Sequence, residues 1–443
     1  MPKTTIFVYS THRNVALTGL SKGNEQKNMT SELETSNAVT SDKQQEWLAR
    51  GKNVFMNTYA SYPIVIKQGK GAHVEDINGK TYLDFVSGIA VNSLGHRDEG
   101  YVTAITEQLN QFSHCSNLYL NMPAIKLAEA LIKNGEFTRA FFCNSGTEAI
   151  EAAIKLSRKY AKKHKGDSCT TILTMSNSFH GRTYGALSAT AQTKYHQGYH
   201  PLVPDFQTVT FNDIESVKSV DAKLVAAIII EPIQGEGGIH VVDENFLRQL
   251  RDYCTKENIV LIFDEIQCGI GRTGKFFAHQ NFGIVPDLIA LAKGLGGGFP
   301  IGALLAKEQF AAAFEPGDHG STFGGNALAC AAALECVTRI EKPQFLQSVH
   351  DRSERLRNAL KKLQAGGTGI VAIRGLGLMV GVELEFLGKP IIQSCMTNGM
   401  LIVGAGDKVL RLLPPLTVND DEVDQAIEIL SKVLADFKHQ PVD

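Results

Sequence analysis

Between about residue 138 and residue 335 the chain alternates short, unbroken apolar runs with stretches in which apolar residues recur every three or four positions. Ala140–Cys143, Thr171–Met175, Thr208–Phe211, Leu224–Ile230, Ile259–Phe263, Asp287–Ala292 and Ile301–Leu305 are such runs, and they predict strands buried on both faces. With helices between them, they describe an α/β domain built on a mostly parallel sheet. Further upstream, Val74 to Phe85 alternates around Asn78-Gly79, which predicts a hairpin with both turn residues at positive φ. Val102, Ile105, Leu109 and Phe112 lie at helical spacing, as do Ile125, Leu127, Leu131 and Ile132 before the stop at Asn134-Gly135. Beyond about Cys336, amphipathic helices around Leu356–Leu363 and Val423–Phe437 flank a strand-rich block at Ile370–Leu384, the pattern of a smaller α+β domain.

Four segments follow from these patterns. Residues 1–48, rich in Ser, Thr, Asn, Gln and Lys, read as a flexible tail. Residues 49–97 form an N-terminal segment expected to pack with the small domain; 98–335 are the large domain and 336–443 the small one. The first acidic residue is Glu25, so the start has the composition of an organelle transit peptide, while Met29 offers a second possible start. Both explanations of residues 1–28 stay open.

Composition narrows the setting. A chain of 443 residues with 43% hydrophobic content is long enough for more than one core. A net charge of -2 gives no reason to expect nucleic acid or an anionic membrane, and no apolar run approaches a membrane span. The eight cysteines are scattered, with no Cys-x-x-Cys pair and no clustering with histidine, so no metal site is expected. That usage suits a reducing compartment, the cytoplasm, or an organelle matrix if residues 1–28 are a transit peptide.

The candidate chemistry sits at strand ends. Val260 to Gln267 reads as a buried strand that delivers two acids and an amide, Asp264, Glu265 and Gln267, to its carboxyl end; Asp287 to Lys293 delivers an amine in the same way. An amine and a carboxylate so placed are the parts that hold a pyridine aldehyde. The amine forms a Schiff base, and the carboxylate keeps the ring nitrogen protonated. The glycines after Lys293 do not make a dinucleotide fingerprint, because Phe299 stands where the last glycine counted from Gly294 is needed. Ser145 and Glu148 have the spacing of a capping box, whose free N–H groups suit a phosphate; taken singly, this pattern describes only a capped helix. Phe179 and Arg182 follow a strand, where an aromatic can stack on a flat ring and a guanidinium can grip a carboxylate. Glu231 to Gly238 and His319 to Asn326 are glycine-rich turns that carry an acid pair and two hydroxyls.

Taken together, Asn144 to Glu148, Phe179 to Thr183, Glu231 to Gly238, Asp264 to Gln267 with Gly271-Arg272-Thr273-Gly274, Ala292-Lys293-Gly294 and Gly320-Ser321-Thr322 resemble the class III pyridoxal-phosphate aminotransferases, from about residue 50 to the end. The resemblance implies the fold type I architecture of pyridoxal-phosphate enzymes and a homodimer with shared sites. It further implies Lys293 as the Schiff-base lysine and proton carrier, Asp264 on the ring nitrogen, Gln267 on the ring hydroxyl and Phe179 on the ring face. Gly146 and Thr147 would bind the phosphate, joined by Thr322 across the dimer interface. Within the family, Ile89 stands where ornithine enzymes place a tyrosine, and the stretches Gly320–Asn326 and Val409–Leu416 look most like acetylornithine aminotransferases. That likeness implies N-acetylornithine as donor, 2-oxoglutarate as acceptor and a place in arginine biosynthesis. Arg182 and Ser321 would then hold substrate with Tyr59 nearby, and Glu236 with Arg411 would let one pocket take both an uncharged chain and a second carboxylate. 4-Aminobutyrate and succinylated donors are the alternatives. A noncatalytic homologue that only binds the cofactor is opposed by the presence of Lys293, Asp264 and Gln267 together.

Overall fold

The computed structural model describes residues 43–438, so most of the expected tail, with Met29 and the candidate transit segment, lies outside the described residues. The chain divides into two compact units, Met1–Ile66 with Asp76–Gly79, and Lys67–Glu75 with Lys80–Asp443. In the first, a helix over 43–54 reaches back into the stretch read as tail. Gln44 donates to Pro63 O at 3.2 Å, and the Arg50 guanidinium covers the Trp47 ring.

The second unit is organised on a seven-stranded sheet. Its spatial order is Arg139–Cys143, Gly302–Ala306, Leu288–Leu291, Val260–Asp264, Val225–Ile230, Thr171–Met175 and Phe206–Val209. All neighbours run parallel except Gly302–Ala306, which is antiparallel to both of its own. The period-2 geometry of a strand explains the unbroken apolar runs. Val260 and Ile262 pack with Ala149, Ala152 and Ala153 of the helix Gly146–Lys165, while Leu261 and Phe263 pack with Phe246, Leu247 and Leu250 of the helix Glu244–Lys256. The last strand differs from expectation: Thr208–Phe211 is displaced to Phe206–Val209, where Gln207 and Thr208 are exposed on the sheet edge.

A second sheet, Ile370–Leu376, Met379–Leu384, Val409–Leu412 and Val403–Gly404, is backed by the helices Pro343–Ala365 and Asp420–Lys438. The hairpin His73–Asp76 with Thr81–Asp84 is present, but only Gly79 of its turn has positive φ, +85°, because four residues rather than two connect the strands. Thr81–Asp84 is also paired in parallel with Met400-Leu401, so chain from near both ends shares one sheet. Among the described residues, no helix is long and apolar enough to cross a membrane.

Ser87 to Ala90 has no counterpart in the sequence expectations. All four residues have positive φ, between +49° and +66°, and form one left-handed helical turn. Each non-glycine residue there opposes the handedness of L-amino acids at a cost of about 1–2 kcal/mol. Asp84 Oδ1 anchors the turn by accepting from Val86 N and Ser87 N at 3.0 and 2.8 Å, and His96 Nε2 holds Asp84 Oδ2 at 2.9 Å.

Candidate active site

The carboxyl ends of the central strands open into a cavity of about 430 Å³. This is the crevice where ligands of open α/β sheets collect. Val260–Asp264 brings Asp264 to its floor. Leu288–Leu291 is followed by a single 3-10 turn that begins at Lys293, which therefore points into the cavity with φ +47°. The turn packs closely, since a Cβ on Gly294 would come within 2.7 Å of Ser93 Oγ. Burial holds the Lys293 ammonium below its ordinary value and Arg411 adds to the effect, while Glu236, Asp264 and Glu231 oppose it. Among the described residues Lys293 Nζ makes no hydrogen bond or ion pair at 4 Å or less, so the amine is available to a ligand.

Asp264 is fixed by two donors: Ile266 N reaches Oδ1 at 3.0 Å, and His180 Nδ1 lies 2.7 Å from Oδ2. His180 is fully enclosed. Burial works against its charge, but the hydrogen bond and charge of Asp264, helped by Glu231, raise it above the ordinary imidazole value. Its Nε2 has no hydrogen-bond partner among the described residues. Glu231 completes the group, accepting from Phe179 N at 3.1 Å and Gly235 N at 3.3 Å. Burial pushes the Glu231 carboxyl up to about 7, His180 opposing and Asp264 adding to the rise. Sequence reasoning gave no role to His180 or Glu231. The signal was position alone, each lying inside a motif singled out for a neighbour. The second acid of the strand end, Glu265, turns away from the cavity and accepts from His279 N and Nδ1 at 2.7 and 2.9 Å.

A helix start forms another wall of the cavity, the one expected to take a phosphate. Ser145 caps Gly146–Lys165 by accepting from Glu148 N, and Glu148 returns the bond one residue further out, taking Asn144 N at 2.7 Å as well as Ser145 Oγ at 3.0 Å. The N–H groups of Gly146 and Thr147 are first-turn donors with no intrahelical partner. A Cβ on Gly146 would lie 2.8 Å from Ile266 Cδ1, so a larger residue there would have to displace the Ile266 side chain. Thr147 Oγ1 is 2.8 Å from Thr183 Oγ1. Ser321 Oγ accepts from Asn144 Nδ2 at 3.0 Å, which ties the hydroxyl loop to this end. Thr322, one residue on, is exposed.

Arg182, also on the cavity wall, lies over the Tyr195 ring at 3.9 Å and over Phe179 at 5.6 Å, with no acid within ion-pair distance among the described residues. Arg411, 2% exposed, is engaged: its Nη1 donates to Glu236 Oε1 at 2.5 Å, Gln267 Oε1 at 3.0 Å and Gly235 O at 3.2 Å. Burial alone would raise Glu236, but Arg411, with Lys293 and Gln267, holds its carboxyl below the usual value. Arg182 thus lines the cavity as a free guanidinium, while Arg411 is neutralised behind Glu236 and Gln267, which line it. Tyr59 belongs to the first unit, where it is exposed. Arg272 of the glycine-rich motif is buried without an acid. It donates to Leu378 O at 3.1 Å and Pro414 O at 2.5 Å, and burial holds it down at about 9.

These residues fit a phosphorylated pyridine aldehyde: an unpaired amine, a fixed carboxylate, an aromatic lining the same cavity, and open N–H groups at a helix start. A family model described as aminotransferase class-III matches residues 54–434. The acetylornithine aminotransferase of Methanocaldococcus jannaschii is 48% identical over 395 residues, 89% of this chain and 99% of that protein. The N-acetylornithine aminotransferase of Stenotrophomonas maltophilia superposes with TM-score 0.76 at 36% identity, over 86% of this chain and 98% of that one. An ornithine aminotransferase structure from Toxoplasma gondii, described as having partial occupancy of PLP at the active site, gives TM-score 0.85 at 29% identity, over 94% and 99% of the two chains.

Proposed function

This chain belongs to the class III aminotransferases, and from that premise we propose that it moves the terminal amino group of N-acetylornithine to 2-oxoglutarate, using pyridoxal 5′-phosphate. The products are N-acetylglutamate semialdehyde and glutamate, a step of arginine biosynthesis. The observation that carries this reading is the unequal state of the two arginines: Arg182 is free, and Arg411 is neutralised by Glu236. A donor that reacts at its far amino group brings one carboxylate, suited to Arg182, and an uncharged reacting end, suited to a neutralised Arg411. A dicarboxylic acceptor places its second carboxylate at that end, and Glu236 must then give way. Ile89 offers no polar partner to a free α-amine, which favours the acylated donor over ornithine.

The bound cofactor supplies an electron sink that makes the proton on the amine-bearing carbon removable. Asp264, oriented by His180 and Ile266 N, would hold the ring N–H. The Gly146 and Thr147 N–H groups and the helix N-terminus would take the phosphate, Phe179 would pack on the ring, and Gln267 would serve the ring hydroxyl. Lys293 Nζ, kept unprotonated by burial, would take the proton from one carbon and return it to the next. In solution, the visible absorption band of the holoprotein is expected to bleach fastest with N-acetylornithine when no keto acid is present. Faster bleaching by 4-aminobutyrate or ornithine would overturn the donor assignment and leave the mechanism intact.

We also read the chain as a homodimer in a reducing, cytoplasmic setting. Leu118, Leu120 and Met122, 84%, 88% and 69% exposed, lie on one segment beside the exposed Phe323 of the Thr322 loop, and Asn117 Nδ2 ties the two by donating to Ser321 O at 2.9 Å. So much exposed apolar surface marks an association site. A second copy seated there accounts for it and brings Thr322 toward the neighbouring phosphate. Leu120→Asp is expected to give monomers in sedimentation analysis and to weaken cofactor retention by about tenfold or more; a stable dimer with normal retention would rule out this face.

A further inference from the structure

The hairpin that carries Glu236 is held from two sides. Its strands, Ile233–Gln234 and His240–Val241, pair with each other, and its base is tied to the central sheet where Gln234 Nε2 donates to Ser176 O at 2.8 Å. The tip belongs to the C-terminal sheet instead. Arg374, on Ile370–Leu376, donates from Nε to Gly238 O at 3.2 Å, and its Nη1 is held by Glu383 Oε2 at 2.7 Å on the adjacent strand. Ile239 is completely buried at φ +57°, a conformation that β-branched residues rarely adopt. Its side chain fills the space left by two glycines of that sheet. A Cβ on Gly375 would come 2.9 Å from Ile239 Cγ2, and one on Gly381 would come 2.7 Å from Ile239 Cβ. Backbone strain at a fully packed position persists only where the surroundings enforce it.

Resting on the reading of Glu236 and Arg411 given above, we infer that Arg374 and Ile239 are positioning residues that fix the Glu236 hairpin on the C-terminal sheet and thereby set the balance between an uncharged reacting end and a dicarboxylate. Arg411 projects from that same sheet, on Val409–Leu412, and donates to Gly235 O. With the hairpin pinned at Gly235, Gly238 and Ile239, Glu236 is presented to Arg411 by fixed backbone, and only its side chain, 25% exposed, is left to swing aside. Releasing the pins loosens the pair and frees Arg411 for a second carboxylate.

The test uses the holoenzyme and glutarate, a dicarboxylate with no keto group to receive an amine. Arg374→Met is expected to lower the inhibition constant of glutarate and to raise KM for N-acetylornithine, each by about three- to tenfold, with kcat changed less. Arg374→Lys, which keeps one donor, should restore part of both shifts. Ile239→Gly, which removes the side chain while suiting the positive φ, should shift both constants the same way. Glu236→Ala is the control and should tighten glutarate binding most. If that control tightens glutarate while Arg374→Met and Ile239→Gly leave it unchanged, or lower kcat for both substrates alike, the inference is wrong. If Glu236→Ala itself fails to tighten glutarate, the reading of the Glu236–Arg411 pair falls, and the inference falls with it.

Discussion

Lys293→Ala is expected to lower turnover by at least about 10³-fold, the scale of a lost general acid and base, while the fold survives. Among the described residues, no second lysine lines the cavity to take over. Borohydride reduction of the holoprotein should fix the cofactor to the peptide containing Lys293 in the native protein and to no peptide in the variant. The fold should tolerate the change because the amine makes no structural bond, and alanine at φ +47° is no worse placed than lysine. The pH dependence of stability provides a second reading. A lysine whose value is depressed from 10.5 binds fewer protons folded than unfolded. The native apoprotein therefore gains stability as pH rises toward 10.5, and that gain should be absent from the melting curves of Lys293→Ala. Turnover within about tenfold of native would show that another group carries the proton.

The second large effect belongs to Asp264→Asn, for which a loss of about 10²- to 10⁴-fold in kcat is expected. The two carboxylate oxygens face donors, His180 Nδ1 and Ile266 N, and a protonated ring nitrogen would be a third. An asparagine amide presents an N–H₂ to one of them, so a buried donor meets a donor, and the ring nitrogen loses its counter-charge. Because the defect lies in the cofactor's electronics and not in substrate contacts, it should fall equally on N-acetylornithine and on glutamate, with KM little changed. A loss confined to one substrate would place Asp264 in substrate recognition instead.

The sequence was most legible where local and tertiary forces agree. Val260 to Asp264 and Val225 to Ile230 are apolar at every position but the last acid because both sheet faces are covered, so their positions could be read to within one residue. Phe206–Val209 was misplaced because an edge strand is half solvated and its apolar signal is thin. Lys293 and Asp264 stood out as charges at the ends of apolar runs. His180 and Glu231 did not, since their roles depend on approach to residues far along the chain: His180 meets Asp264 across 84 positions. Arg272 lay within a quoted motif, but nothing in the sequence marked it as buried; backbone carbonyls from two distant segments accept from its Nη1. Nothing in Ser87-Gly88-Ile89-Ala90 announces a left-handed turn. Isoleucine and alanine both resist it, and the fold imposes it through Asp84.

The parallel pairing of Thr81–Asp84 with Met400-Leu401 also bears on how the protein is made. On the ribosome, the early hairpin emerges with one edge lacking its partner and keeps that edge while the central sheet is synthesised. Domains tend to fold as they emerge. Here the N-terminal hairpin must wait for the far end of the chain, and Arg411 arrives later still. Lys293 and Asp264 are therefore synthesised well before Arg411, so the arginine proposed to sort one substrate from the other is the last of these site residues to be made.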